Sequence, residues 1–107
     1  MKQIKLYTSV NGKQPFAQWM DRLKDRTLVN KIHQRLTFME KGYMPDVKQV
    51  STGIYETRIH SHGGVRIYFY QHGSVIILLL CGGNKATQKK DIAKAVEYTE
   101  DFRRRYE

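Results

Sequence analysis

The 107-residue sequence predicts an α+β fold, in which a helical N-terminal half precedes a three-stranded antiparallel meander and a C-terminal helix. Three observations support this. The apolar residues of the first half recur at helical spacing, residues 53–83 form alternating runs separated by glycine turns, and the C-terminal residues return to a basic helical pattern. A chain of this length holds one core, so we expect one domain over residues 1–107.

The N-terminal half predicts a short strand and two helices. Alternating polarity over residues 2–8 predicts a half-buried strand. A first helix starts at Gln14 and a second runs over Asp25–Lys41, where Gly42 stops it. The short linker between them predicts an αα-hairpin, and residues 43–52 are expected to be a connection. The apolar helical faces are Phe16, Trp19, Met20 and Leu23, then Leu28, Ile32, Leu36 and Met39.

Two strands of the meander place their polar residues on one face. Side chains alternate along a strand, so Glu56, Arg58 and His60 share a face of the first strand. Arg66 and Tyr68 share the corresponding face of the second, together with Tyr70. A three-residue loop, residues 62–64, keeps these faces together and pairs Arg58 with Tyr68 and His60 with Arg66.

The third strand is apolar on both faces, which predicts a central position in the sheet, covered on both sides. The turn before it, residues 71–74, suits a two-residue loop that pairs Phe69 with Ile76. Thr87 is the predicted N-cap of the last helix, whose apolar stripe includes Ile92 and Val96.

Charge and hydropathy indicate which kinds of partner and which cellular location to expect. The net charge of +9 favours an anionic partner such as nucleic acid or an acidic protein. The N-terminal MKQIKLYTS lacks the apolar region of a signal peptide, and the run Val75–Cys81 is too short to span a bilayer. We therefore expect a cytoplasmic protein with no membrane partner. The single cysteine, Cys81, is expected to be a small buried hydrophobe.

The shared polar face has the composition of a phosphodiester-binding site. Arg58, Arg66 and Lys85 provide cations that match phosphate oxygens and stabilise the charge of a phosphorane. Glu56, His60 or a lysine is a candidate to take a proton from a 2′-hydroxyl. The remaining candidates are Tyr68 as a catalytic residue, and Lys48, Tyr70 and Lys89 as substrate contacts.

The alternative is that the same residues form a charge-paired ladder that only solvates a sheet face, and the pattern alone does not separate the two interpretations. Other chemistries find less support. His60 and His62 lack the carboxylate or cysteine partners that would complete a metal site, so we expect no metal and no cofactor.

Residues 53–95 resemble the core of the RelE/HigB-like toxins of bacterial type II toxin–antitoxin modules. More narrowly, they resemble the branch of phage-derived addiction-module killer proteins. The shared residues are Gly53, Tyr55, Glu56, Arg58, Arg66, Tyr68, Phe69, Gly83, Asn84, Lys85, Gln88, Asp91, Ile92 and Ala95.

The resemblance implies a RelE/ParE-like fold and a toxin that degrades mRNA on translating ribosomes. It further implies a cognate antitoxin, commonly a helix-turn-helix DNA-binding protein, so that operator DNA is contacted only through the antitoxin complex. Carried over by motif, Arg58, Arg66 and Lys85 would contact phosphate, and Glu56 would orient Arg58 or take a proton. The alternative is a catalytically degenerate basic module that binds RNA or an acidic or antitoxin partner.

The sequence departs from the family at its C-terminus. Many relatives place a catalytic tyrosine or histidine after the last strand, whereas this chain has a basic helix in which Tyr98 and Tyr106 match no such position. Tyr68 and His60 are therefore the alternatives for the proton-transfer residue.

Overall fold

A computed structural model describes residues 1–107 and contains five strands, three α-helices and one 3-10 helix. The strands form one sheet of order β1-β5-β4-β3-β2. In chain order the elements are β1 (Gln3–Leu6), α1 (Pro15–Arg22), α2 (Arg26–Glu40), β2 (Val47–Ser51), β3 (Ile54–Ile59), β4 (Val65–His72), β5 (Ile76–Asn84), the 3-10 helix (Lys85–Thr87) and α3 (Gln88–Tyr106).

Both faces of the sheet are covered. Helices α1 and α2 pack on one face, and α3 packs on the other. Strand β5 lies between β1 and β4, parallel to β1 and antiparallel to β4. Its residues 77–81 are buried, which confirms the predicted central, doubly covered strand. The α+β class is likewise confirmed, with a mixed five-stranded sheet.

Local sequence signals start and stop the two N-terminal helices as predicted. Pro15 occupies the first turn of α1, where its missing N–H costs nothing. The carboxylate of Asp25 accepts a hydrogen bond from the Leu28 N–H at 3.1 Å and caps α2. Gly42 follows the end of α2 with φ of +88°.

The expectation that residues 43–52 form only a connection is wrong, because Val47–Ser51 form the edge strand β2. This strand pairs antiparallel with β3 and contains a register shift between Gln49 and Ser51. The shift breaks the alternation of side chains, so the strand carries no clean period of two.

The register predicted for the β3–β4 hairpin is wrong by two residues. Arg58 lies opposite Arg66, and Glu56 lies opposite Tyr68. The loop spans residues 60–64, and three successive residues, 62–64, have positive φ. A shift of two residues preserves which side chains share a face. The predicted common face of Glu56, Arg58, Arg66 and Tyr68 is therefore confirmed.

The β4–β5 turn is also longer than predicted. His72 pairs with Ile76, so residues 73–75 form the turn, and Phe69 pairs with Leu79 rather than Ile76. A second register shift falls between Tyr68 and Phe69. The predicted positive φ of Gly73 is confirmed at +66°.

Helix α3 covers the polar face of the hairpin. Its inner residues Ala95 and Thr99 are buried against the sheet, and Glu56, Arg66 and Tyr68 beneath it are at most 4% exposed. This face is therefore not an open, solvated ladder. None of the helices combines the length and apolar composition needed to cross a membrane.

Candidate functional site

A shallow cavity of about 310 Å³ lies at the β2–β3 edge of the sheet. We call it the edge cavity. It brings together four of the residues predicted for the site. Its lining consists of Asp46, Val47, Lys48, Glu56, Arg58 and His60.

A buried carboxylate forms the floor of the edge cavity. Glu56 is only 1% exposed and lies among three donors. Arg58 Nη2 donates to Glu56 Oε1 at 3.2 Å, and Gln88 Nε2 donates to Oε2 at 3.4 Å. Arg66 Nε lies 3.7 Å from the same Oε2. A buried carboxylate needs such neighbours, since an unpaired charge is costly to remove from water.

The two arginines differ in accessibility. The Arg58 side chain is 35% exposed and faces the edge cavity, so its remaining donors can reach a ligand. The Arg66 side chain is 5% exposed, and its Nη1 donates to the Gly64 carbonyl at 3.0 Å. Arg66 Nε is buried without a hydrogen-bond partner. In this conformation Arg66 supports Glu56 and the hairpin loop from below.

His60 and Asp46 form an exposed pair at the rim of the edge cavity. His60 Nε2 lies 3.4 Å from Asp46 Oδ2, and the His60 side chain is 63% exposed. Asp46 has φ of +51°, uncommon for a non-glycine residue. Its carbonyl accepts a hydrogen bond from the Arg58 N–H at 3.2 Å, which ties this turn to β3. Lys48, directly opposite Glu56 across the β2–β3 pair, is exposed at the same rim.

Lys85 lies at the end of the hairpin where it was predicted, but outside the edge cavity. Arg66 pairs with Gly83, which places Lys85 just beyond the loop between β3 and β4. Lys85 is exposed and lines a separate cavity with His62 and Gly63.

Three other predicted residues lie away from the edge cavity. Tyr68 is fully buried, its hydroxyl has no partner, and burial followed by the nearby charge of Glu56 raises its pKa above the ordinary value. The Tyr70 hydroxyl donates to Glu107 Oε2 at 2.8 Å under α3. Lys89 is exposed on the first turn of α3. In this conformation neither tyrosine presents a ring or hydroxyl to a ligand in the edge cavity.

Sequence reasoning missed two residues that shape the site. Asp46 was treated as part of a connection. Arg35 of α2 donates from Nη1 to the Arg58 carbonyl at 2.8 Å, to Thr57 Oγ1 at 2.5 Å and to the Pro45 carbonyl at 3.5 Å. It therefore joins α2 to β3 and to the turn that precedes β2. The only sequence signal was a cation near the middle of an amphipathic helix.

Comparison with known proteins identifies the family of this chain. Residues 18–100 match the family model described as phage derived protein Gp49-like (DUF891). The chain belongs to this family. An uncharacterized protein of Haemophilus influenzae is 40% identical over 80 residues, which cover 75% of this chain and 81% of that protein.

The Gp49-like family is associated with toxin–antitoxin modules. The matched residues include β2 to β5 and most of α3, and thus every residue that lines the edge cavity. Membership in such a family implies a cognate antitoxin as partner.

Proposed function

We propose that this Gp49-like protein is the toxin of a type II toxin–antitoxin module and acts as a metal-independent, ribosome-associated mRNA endonuclease of RelE/HigB type, inhibiting translation. The supporting observation is the buried Glu56, which fixes Arg58 at the floor of an open cavity with Lys48 at its rim. An arginine held in this way is a preorganised donor for a phosphate, and preorganised charge is commonly the largest contribution to catalysis.

Arg58 is the phosphate-binding residue in this proposal. Its guanidinium uses one nitrogen on Glu56, and its other donors are directed to the non-bridging oxygens of the scissile phosphate. Lys48 at the rim adds a second cation for the RNA backbone. Charge on the phosphorane is thus balanced by side-chain cations.

His60 is the proton-transfer residue. It is the exposed titratable group of the two proposed alternatives, since Tyr68 is buried. His60 takes the proton of the 2′-hydroxyl, the 2′-oxygen bonds to phosphorus, and the bond to the 5′-oxygen breaks. Solvent protonates the leaving oxygen, which yields a 2′,3′-cyclic phosphate and a 5′-hydroxyl. Asp46 orients the imidazole.

Arg66, Glu56 and Lys85 have supporting roles. Arg66 and Glu56 position Arg58 from below, while Lys85 contacts the RNA backbone beyond the hairpin loop. In this proposal the toxin works in the cytoplasm. Its antitoxin is a helix-turn-helix protein, and operator DNA is contacted only through the complex with that antitoxin.

The test is inducible expression of the wild type beside Arg58→Ala and Arg104→Ala, with mapping of mRNA 5′ ends. Arg104 is a matched control because its side chain is 71% exposed and lies far along the chain from the edge cavity. We expect growth arrest and new cuts inside translated messages with the wild type and Arg104→Ala, and neither with Arg58→Ala that accumulates as soluble protein. Equal cutting by Arg58→Ala would refute the assigned site, and no cutting by soluble wild type would refute the nuclease.

The second candidate is a non-catalytic basic module that binds RNA or an acidic antitoxin. The burial of Arg66 and Tyr68 favours it, because two of the predicted catalytic groups do not reach solvent. Soluble wild type that binds ribosomes but leaves every message uncut would support this candidate.

A further inference from the structure

A second cavity, with a basic lining, lies between α1 and α3, beside the C-terminal end of β5. We call it the helix cavity. Its volume is about 560 Å³, larger than that of the edge cavity. The residues important here are Gln18, Trp19, Arg22, Asn84, Lys90 and Lys94.

The cations of the helix cavity form no ion pair with the protein's carboxylates. Arg22, Lys90 and Lys94 are exposed and take part in no ion pair. By contrast, Arg103, Arg104 and Arg105 at the other end of α3 all pair with Asp101 or Glu107. Within α3, the positive charge left for an external anion therefore lies in the N-terminal half.

Lys90 lies where a cation does not stabilise the helix. Lys89 and Lys90 lie in the first turn of α3, where the helix dipole is positive and cations are unfavourable. Asp91 is the one acidic residue of that turn and also lines the cavity, but it is buried, with 8% of the residue exposed, and its carboxylate accepts a hydrogen bond from the Thr87 hydroxyl. Lys90 at this position lines the helix cavity, where its charge is available to an anion.

Trp19 gives the helix cavity an apolar surface beside its cations. The indole lies directly on Gly82 of β5, where any Cβ would collide with the ring. It is only partly buried, and its open part lines the cavity. A planar aromatic surface flanked by cations is the combination with which proteins bind single-stranded RNA, by contact with a base and its phosphates.

The helix cavity and the edge cavity lie on either side of the start of α3. Gln88 of the first turn donates to Glu56 in the edge cavity, whereas Lys90 and Lys94 line the helix cavity. Asn84 lines both the helix cavity and the cavity that contains Lys85. Exposed basic residues thus continue around the sheet end from one cavity towards the other.

We propose that the helix cavity is a second subsite for single-stranded RNA, in which Arg22, Lys90 and Lys94 bind phosphates and Trp19 contacts a base. This subsite rests on the proposed nuclease function and extends it, because a strand bound there continues past Lys85 towards Arg58. The subsite adds affinity for longer strands without touching the scissile phosphate.

The chain reports on this subsite directly, because Trp19 is its only tryptophan. The test titrates purified Arg58→Ala protein with single-stranded RNA oligomers of increasing length and follows Trp19 fluorescence and the anisotropy of labelled RNA. We expect saturable quenching whose affinity rises with oligomer length. Adding Lys90→Gln and Lys94→Gln should weaken binding roughly 25-fold at about 0.1 M salt. The slope of log binding constant against log salt concentration should fall in magnitude by about 1.4, the value for two lost phosphate contacts.

The matched control is Lys24→Gln with Lys41→Gln, which removes the same charge at two exposed positions outside both cavities. Binding that weakens equally in the control pair would overturn the subsite, because net charge alone would then explain the loss. So would RNA binding that leaves Trp19 fluorescence unchanged. A Lys90/Lys94 variant that binds RNA normally but escapes its antitoxin would overturn it in favour of a protein partner.

The two proposals fail separately. Messages left uncut by wild type, with oligomers still quenching Trp19, would refute the nuclease and leave the subsite standing. If the Lys90→Gln/Lys94→Gln variant cuts messages at the same rate as the wild type, the contribution of the subsite is refuted. The nuclease proposal is then unaffected.

Discussion

Replacing Arg66 should destabilise the fold by leaving Glu56 underpaired. Glu56 is 1% exposed, and without Arg66 it retains only the half-exposed Arg58 and the amide of Gln88. Breaking a buried pair by removing one partner costs about 3–5 kcal/mol. The remaining donors place Arg66→Met near the lower end, about 3 kcal/mol, or a fall in Tm of about 12 °C for a chain of this length.

The assay is urea unfolding of the wild type, Arg66→Met and the double variant Glu56→Gln/Arg66→Met. Methionine keeps much of the arginine stem, so the measurement reports charge rather than an empty cavity. The double variant should recover at least half of the loss, since replacing both partners of a buried pair is often near neutral. A loss below about 1 kcal/mol in Arg66→Met, or a double variant no more stable than the single one, would refute this reasoning.

Three further predictions test other contacts. Burial, aided by the hydrogen bond donated to Asp101, raises the pKa of Tyr7 from 10.0 to about 12. The neutral phenol therefore stabilises the fold below pH 10.0, and this contribution to the free energy of unfolding is lost as the pH approaches 12. Tyr7→Phe should therefore show a shallower alkaline loss of the urea midpoint, and an unchanged slope would contradict it. Gly82→Ala should lower the free energy of unfolding by about 1–3 kcal/mol, because the added methyl group clashes with Trp19. Trp19 fluorescence in a urea titration measures this change, and wild-type stability would exclude the clash. Arg35→Met should lower the free energy of unfolding by about 2–3 kcal/mol, because its acceptors in β3 lose their donor, and should speed amide exchange at the β2–β3 edge. Wild-type exchange rates would show that the hydrogen bonds from Arg35 to β3 are dispensable.

Those parts of the fold that depend on local signals could be predicted from the sequence. Helix α2 begins at the Asp25 cap and stops before Gly42, because both residues act through neighbouring backbone groups. The hairpin registers depended on loop conformation instead. Three positive-φ residues lengthen the first loop, which includes His62, whose imidazole lies 3.0 Å from the Asp25 carboxylate on another element. Such a long-range contact leaves no periodic signal in the sequence.

The candidate site follows the same division. Glu56 and Arg58 meet because residues two apart share a strand face, which alternation alone predicts. The burial of Arg66 depends on where α3 docks, and the approach of Asp46 to His60 depends on the β2–β3 pairing. Both are tertiary facts, so composition predicted the kinds of residue in the site but not which of them would reach solvent.

The pairing of β1 with β5 has a consequence for how the molecule is made. Gln3 lies opposite Ile76, so the first strand to leave the ribosome has no partner until the fifth has been synthesised. The β3–β4 hairpin, whose strands are adjacent in sequence, can form earlier and carries Arg58 and Arg66 with it. The charged hairpin can thus form before β1 and β5 pair, and a strand edge is unpaired for as long as that pairing is incomplete. A partner that captures this open edge would meet the protein before it has finished folding.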